Sequence, residues 1–199
     1  FHNNSDLAKL LLTKEADIEA TDTQGFTPLM DALYWRATET ATTLLDAGAT
    51  VTPENDAEKN VLHLSFANRK NPYSVVDLPL FKRLVDASSE EAVNKPDVNG
   101  DTPLMYAMRE KRFDMAEVLI HAGAKLDATN HQKQTPLDIA AKAVGKPLLL
   151  AFLEGKNHGM LKLMLDNQAD TAIPDRYGRS LVRHAVDRQD AEGLALLLE

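Results

Sequence analysis

Asn99-Gly100-Asp101-Thr102-Pro103-Leu104-Met105 reads as a turn followed by the start of a helix. A threonine hydroxyl can accept one of the orphan backbone N–H groups at a helix N-terminus. Proline directly after it sacrifices nothing, because its missing N–H would have had no helical partner. The same phrase recurs as Gln24-Gly25-Phe26-Thr27-Pro28-Leu29-Met30 and as Lys133-Gln134-Thr135-Pro136-Leu137-Asp138. Thr102 and Thr135 stand 33 residues apart, and Thr27 plus 33 falls on Asn60. A weaker copy, Tyr177-Gly178-Arg179-Ser180-Leu181, places Ser180 at the same point. Asn60 and Ser180 also cap helices, so the chemistry persists where the letters change.

The five cap positions are 27, 60, 102, 135 and 180, spaced by 33, 42, 33 and 45 residues. Twenty-one residues after Thr27 and Thr102 stand Gly48 and Gly123, each followed by Ala. Glycine there suits the left-handed position that ends a helix. Between cap and glycine the apolar residues fall at helical spacing, as in Met115, Val118 and Leu119, and again in Leu7, Leu10 and Leu11 of an earlier unit. Each unit is therefore expected to be helix, turn, helix and hairpin-like loop. Such a unit buries its apolar face only by stacking on its neighbours.

These residues resemble the ankyrin repeat family. The resemblance is carried by Thr27-Pro28-Leu29, Thr102-Pro103-Leu104, Thr135-Pro136-Leu137, Leu62-His63, Gly48-Ala49, Gly123-Ala124 and the turn glycines Gly25, Gly100 and Gly178. It spans essentially the whole chain and implies an all-α solenoid of about six helix-turn-helix units with partial terminal units. The expected organisation is a single domain over 1–199, with units at 1–22, 23–55, 56–97, 98–130, 131–175 and 176–199.

Composition narrows the function. The 199 residues carry 22 basic and 30 acidic side chains, a net charge of −8, with 44% apolar residues and no cysteine. That is a globular composition. It disfavours nucleic acid, whose affinity comes from cations on phosphates. No apolar run is long enough for a membrane span, and no disulfide or thiolate metal site can form. The compartment stays open: cytoplasmic is favoured, and periplasmic or secreted is retained in case a signal peptide was removed.

Departures from the repeat carry further expectations. Glu15, the Ser88-Ser89-Glu90 stretch and Gln168 stand where a helix-ending glycine belongs, and a non-glycine residue in left-handed geometry costs about 1–2 kcal/mol. The array is therefore expected to be softest in its third and fifth repeats, and Gln168→Gly should stabilise it. Two insertions are expected between the helices of those repeats, around 68–79, with Leu-Pro-Leu at 78–80 breaking any helix, and around 142–157, where Gly145 and Pro147 punctuate an apolar turn or short helix whose 148–152 run is mostly buried. Insertions of this kind map to one face of a solenoid.

Catalytic chemistry has no constellation here. None of the six histidines forms an His-x-x-x-His pair. Ser180, His184 and Asp187 follow one another along one helix, unlike a triad assembled from separate elements. The expectation is no enzyme, no cofactor, no metal and a monomer. The resemblance implies that another protein binds the concave face, the hairpin tips and the insertion loops. Aromatic residues and arginine dominate interface hot spots, so the candidates are Phe26, Tyr34, Trp35, Tyr73, Arg109, Arg112 and Tyr177. Tyr34 and Trp35 are equally placed to seal a joint between repeats. A narrower reading is a bacterial inhibitor or immunity protein that occludes a toxin or enzyme.

Overall fold

The computed structural model describes residues 4–66, 76–144, 148–166, 171–172, 174–175 and 177–198. Among them are thirteen helices and no strand. They are α1 (Ser5–Thr13), α2 (Pro28–Tyr34), α3 (Thr38–Asp46), α4 (Val61–Leu64), α5 (Leu78–Asp86), α6 (Glu90–Asn94) and α7 (Pro103–Arg109). After these come α8 (Phe113–His121), α9 (Pro136–Val144), α10 (Leu148–Glu154), α11 (His158–Asp166), α12 (Leu181–Asp187) and α13 (Ala191–Leu198). The chain forms two compact units, 1–136 and 137–199.

In the first unit the cap residues act as their chemistry predicts. The Oγ1 of Thr27 accepts from the N–H of Met30 at 3.3 Å, and that of Thr102 from Met105 at 3.4 Å. Asn60 Oδ1 accepts from both Leu62 and His63. Inner helices α2, α4 and α7 pack on one another in that order, and outer helices α3, α5 and α8 back them; the lone α1 packs on α3. Between them lies an apolar core in which Leu29, Leu33, Leu62, Phe81, Leu84, Leu104, Met108 and Met115 are essentially sealed from water. Helix stacking of this kind is what lets short elements, each only about two turns long, persist.

Helix ends were resolved differently from the glycine expectation at one place. Glu15 does take the left-handed conformation, at φ +59. The 88–90 stretch does not: Ser89 sits at φ −76 and opens α6 by accepting from Ala92. Ser88 Oγ donates to the carbonyl of Leu84, satisfying the end of α5. Two serine hydroxyls thus take over the work of a glycine, and no left-handed strain is stored there. Gln168 lies outside the described residues.

Leu78-Pro79-Leu80 also reads differently. Pro79 does not break a helix but opens α5, with Asp77 as the cap accepting from Leu80 at 2.8 Å. Proline in the first turn lacks only an N–H that had no partner.

In the second unit the expected 142–157 insertion holds its short buried helix, but at a different place in the repeat. Residues 148–154 are a helix, α10, with Leu149, Leu150, Phe152 and Leu153 buried. Helix α10 packs on α11 and α12, and α11 and α12 each pack on α13. The turn residues explain why. Arg36 and Lys111 take φ +61 and +57, nine residues after Thr27 and Thr102, and Gln189 takes φ +52 nine after Ser180. Lys156, at φ +50, is the equivalent turn, and counting nine residues back from it reaches a point 33 residues before Ser180. The pair α10–α11 is thus a complete repeat in register. The twelve extra residues appear as an additional helix, α9, upstream of it and not as a loop between its helices.

Candidate functional site

Five hairpin tips share one local construction. Asp22, Asn55, Asp97, Asn130 and Asp175 each stand five residues before a cap position. Each Oδ1 accepts from the backbone N–H two and four residues on, as Asp97 does from Asn99 (2.8 Å) and Asp101 (3.0 Å). This is the Asx turn, in which a short side chain imitates a backbone turn. Two residues before each cap the chain is left-handed: Gly25, Glu58, Gly100, Lys133 and Gly178. Within the first unit successive tips are also bonded, Asp56 N to Gln24 O, Val98 N to Ala57 O and His131 N to Asn99 O. The tips are therefore fixed in position before any partner arrives.

The structure brings three of the expected site residues together. Phe26, half-buried at a tip, meets the Tyr34 ring edge-on at 5.7 Å, and Tyr34 meets Trp35 at 5.2 Å. Trp35 caps the C-terminus of α2 and stays 39% exposed. Its other side lines a 290 Å³ groove against Ala8, Leu11, Leu12 and Ile18. It therefore both abuts the first repeat and faces solvent.

Arg109 belongs to a second cluster, around Tyr106. The Tyr106 hydroxyl donates to Asp97 Oδ2 at 2.8 Å. Lys59 Nζ and the Arg109 guanidinium each lie 5.3 Å from the Tyr106 ring centre. Arg109 also bonds Asp101 at 2.8 Å, and Asn130 bonds the other oxygen of that carboxylate. Burial alone would raise the Asp97 carboxyl, but hydrogen bonds from Tyr106, Asn99 and Asp101 outweigh it and hold it low. Burial, then the bond to Asp97, pushes the Tyr106 phenol well above its ordinary value. Lys59 and Asp101 stand on hairpin tips, but the repeat motif gave no reason to pick Tyr106 or Asp97. The recurrent Asx residue five before each cap is the signal that would have found Asp97.

Beneath this surface His63 is fully buried, Nε2 facing the carbonyl of Asp101 at 3.1 Å and Nδ1 the N–H of Asn60 at 3.3 Å. Desolvation lowers it to about 4. It is a neutral structural tie.

The remaining candidates lie apart from these clusters. Arg112 forks onto Asp114 through Nε and Nη2. Near it, Arg36 Nη1 donates to the carbonyls of Leu64 and Ser65 at the end of α4. Arg36 Nε is buried without a hydrogen-bond partner, and burial followed by the Arg112 charge lowers the guanidinium to about 10. Tyr177, in the second unit, is 66% exposed with Arg179 over its ring at 5.4 Å. Tyr73 and the 67–75 part of the first insertion lie outside the described residues.

Ser180 and His184 have separate partners. Ser180 caps α12, His184 Nε2 bonds Asp175 at 3.0 Å, and Asp187 pairs with Arg183. His158 bridges Asp190 (2.9 Å) and Glu192 (3.0 Å) on opposite sides of its ring. Among the described residues no group of three His, Asp or Glu has the arrangement to hold a metal ion. No helix there is long and apolar enough to cross a membrane.

Short stacked helix pairs that hold rigid tips and half-exposed aromatic and cationic side chains define a helical repeat protein built for recognition. The particular family follows from comparison: three copies of the ankyrin repeats model match residues 1–55, 52–130 and 73–153, and the chain belongs to the ankyrin repeat family. It is similar to human transient receptor potential cation channel subfamily A member 1, 29% identical over 140 residues, covering 70% of this chain and 12% of that protein. It is also similar to protein lin-12 of Caenorhabditis elegans, 30% identical over 153 residues, covering 71% of this chain and 10% of lin-12. Dog inversin is 31% identical over 106 residues, covering 53% of this chain and 9% of inversin. The chain thus spans about a tenth of the length of these relatives. All three are animal proteins, so the expected bacterial source has no support from them. Ankyrin repeats are generally a non-catalytic fold for protein–protein interaction, and membership supports that role for this chain.

Proposed function

We propose that the chain is a non-catalytic module that binds a partner protein through its inner helices and hairpin tips. The centre of that surface is Phe26, Tyr34 and Trp35, and Arg109 and Arg112 extend it. The supporting observation is the edge-to-face aromatic triplet with Trp35 still 39% exposed. Aromatic rings lose little conformational entropy on binding and bury much area, so a preordered, part-exposed set is an economical anchor. The hydrogen-bonded tips reduce the ordering cost of association further.

Tyr177 is a contact of the second unit under this reading, and Tyr73 enters on its sequence position alone. The reading includes a monomeric chain and one repeat domain over 1–199, supported by the 33-residue register that resumes ahead of Ser180. The inhibitor version has no observation of its own.

The test is capture from a lysate of the source cell by tagged wild type and by a Tyr34→Ala/Trp35→Ala variant of equal helical circular dichroism. Loss of two anchors should weaken a stoichiometric partner at least about thirtyfold, equivalent to the roughly 2 kcal/mol of a single hot spot. A partner held equally by both proteins would move the interface elsewhere.

A further inference from the structure

We infer that the partner presents an acidic side chain to the Lys59–Tyr106–Arg109 platform. This rests on the reading that the inner-helix face binds a protein segment, and adds the chemistry of that segment.

The cluster is neutral in formal charge, with two cations and the two carboxylates of Asp97 and Asp101. Its charges are not evenly placed. The Asp97 side chain is 0% exposed and that of Asp101 10%, whereas Lys59 and Arg109 are 23% and 32% exposed. Asp97 accepts from Asn99, Asp101 and Tyr106, and Asp101 from Arg109 and Asn130. The carboxylates are inside and engaged, and the cations are outside. Within the cluster, the charges open to solvent are the two cations. Both cations already lie against one aromatic ring, which restrains long side chains that a partner would otherwise have to order.

The surroundings select the kind of anion. Asp56 and Glu58 are exposed on the tip that carries Lys59, and Glu110 is exposed next to Arg109. A nucleic-acid backbone needs many phosphate contacts and would run into these three carboxylates. A single aspartate or glutamate in a peptide needs only the two cations. An acidic peptide segment fits; a polyanion does not.

The probe is a phage-displayed library of random peptides selected on the full chain, with enriched peptides resynthesised for titration. The enriched pool is expected to be rich in Asp and Glu. Their affinity should fall at least about tenfold in Arg109→Gln and in Lys59→Gln and hold better in the charge-retaining Arg109→Lys, with folding checked by circular dichroism. It should also weaken several-fold between about 50 and 300 mM salt, as screening of part-exposed charges requires. A pool without acidic residues, or acidic peptides unaffected by either charge removal, would overturn this inference and leave the interaction-module reading standing. Peptides that still bind Arg109→Gln but not Tyr34→Ala/Trp35→Ala would do the same. No enriched peptide at all would overturn this inference, and the lysate capture then decides the interaction-module reading separately.

Discussion

At the scale of single residues, the recurring Asx turn is what holds the hairpin tips in shape. Asp97 is a heavily used copy, with two backbone N–H groups and the Tyr106 hydroxyl on one buried carboxylate. Asp97→Ala should destabilise the chain by about 2–4 kcal/mol, read from urea unfolding, because several buried donors lose their acceptor together. Gly100 makes a second test. It sits at φ +78, and a Cβ there would lie 2.9 Å from the backbone nitrogen of His131. Gly178 shares the conformation, at φ +76, with nothing within 4 Å. Gly100→Ala should therefore cost more than Gly178→Ala, whose penalty is the left-handed conformation alone, about 1–2 kcal/mol. His63 fixes a pH response. Its folded value, about 4 against 6.5 for an ordinary histidine, means that the unfolded chain takes up the proton first. Its contribution is complete above about pH 6.5 and lost as pH falls toward 4. Asp97, also held low, adds a loss at still lower pH. Urea midpoints should accordingly drop from pH 7 to pH 5, and His63→Gln should flatten that difference.

At the scale of elements, the burial of the short helix at 148–154 has a measurable consequence. Phe152 is 1% exposed. Phe152→Ala should cost about 3–5 kcal/mol, the range for emptying a packed core site. A surface loop would tolerate the change within about 0.5 kcal/mol. The same stretch shows where the sequence was readable. Thr27, Thr102 and Thr135, with Pro after each, announced helix starts because a side-chain cap and a fixed φ act locally. The α10 start carried no such letters, since Lys146-Pro147-Leu148 lacks a capping side chain before its proline. Its register shows only in the turn at Lys156, and a lysine at φ +50 is not a residue whose type reveals that conformation. Ser88 and Ser89 hid in the same way, because hydroxyl caps can replace a glycine without resembling one. At the site, Phe26, Tyr34 and Trp35 were legible as aromatic residues of a hairpin tip and the end of an inner helix. Tyr106 was not, since its role depends on Asp97 and Lys59 from two other segments of chain as well as on Arg109 of its own helix.

At the scale of the whole molecule, the two units share a 33-residue register and one hairpin design, yet they distribute chemistry differently. The first holds the aromatic triplet and the Lys59–Tyr106–Arg109 platform. The second ties its helices with histidine–carboxylate pairs, His158 with Asp190 and Glu192, and His184 with Asp175. The central claim is that recognition is centred on the inner helices and tips of the first unit. Amide hydrogen exchange of the chain, alone and with its captured partner, tests that claim most directly. The account predicts new protection at residues 23–36 and 97–112, with little change along α3, α5 and α8. Protection concentrated on those outer helices, with 23–36 and 97–112 unchanged, would contradict it.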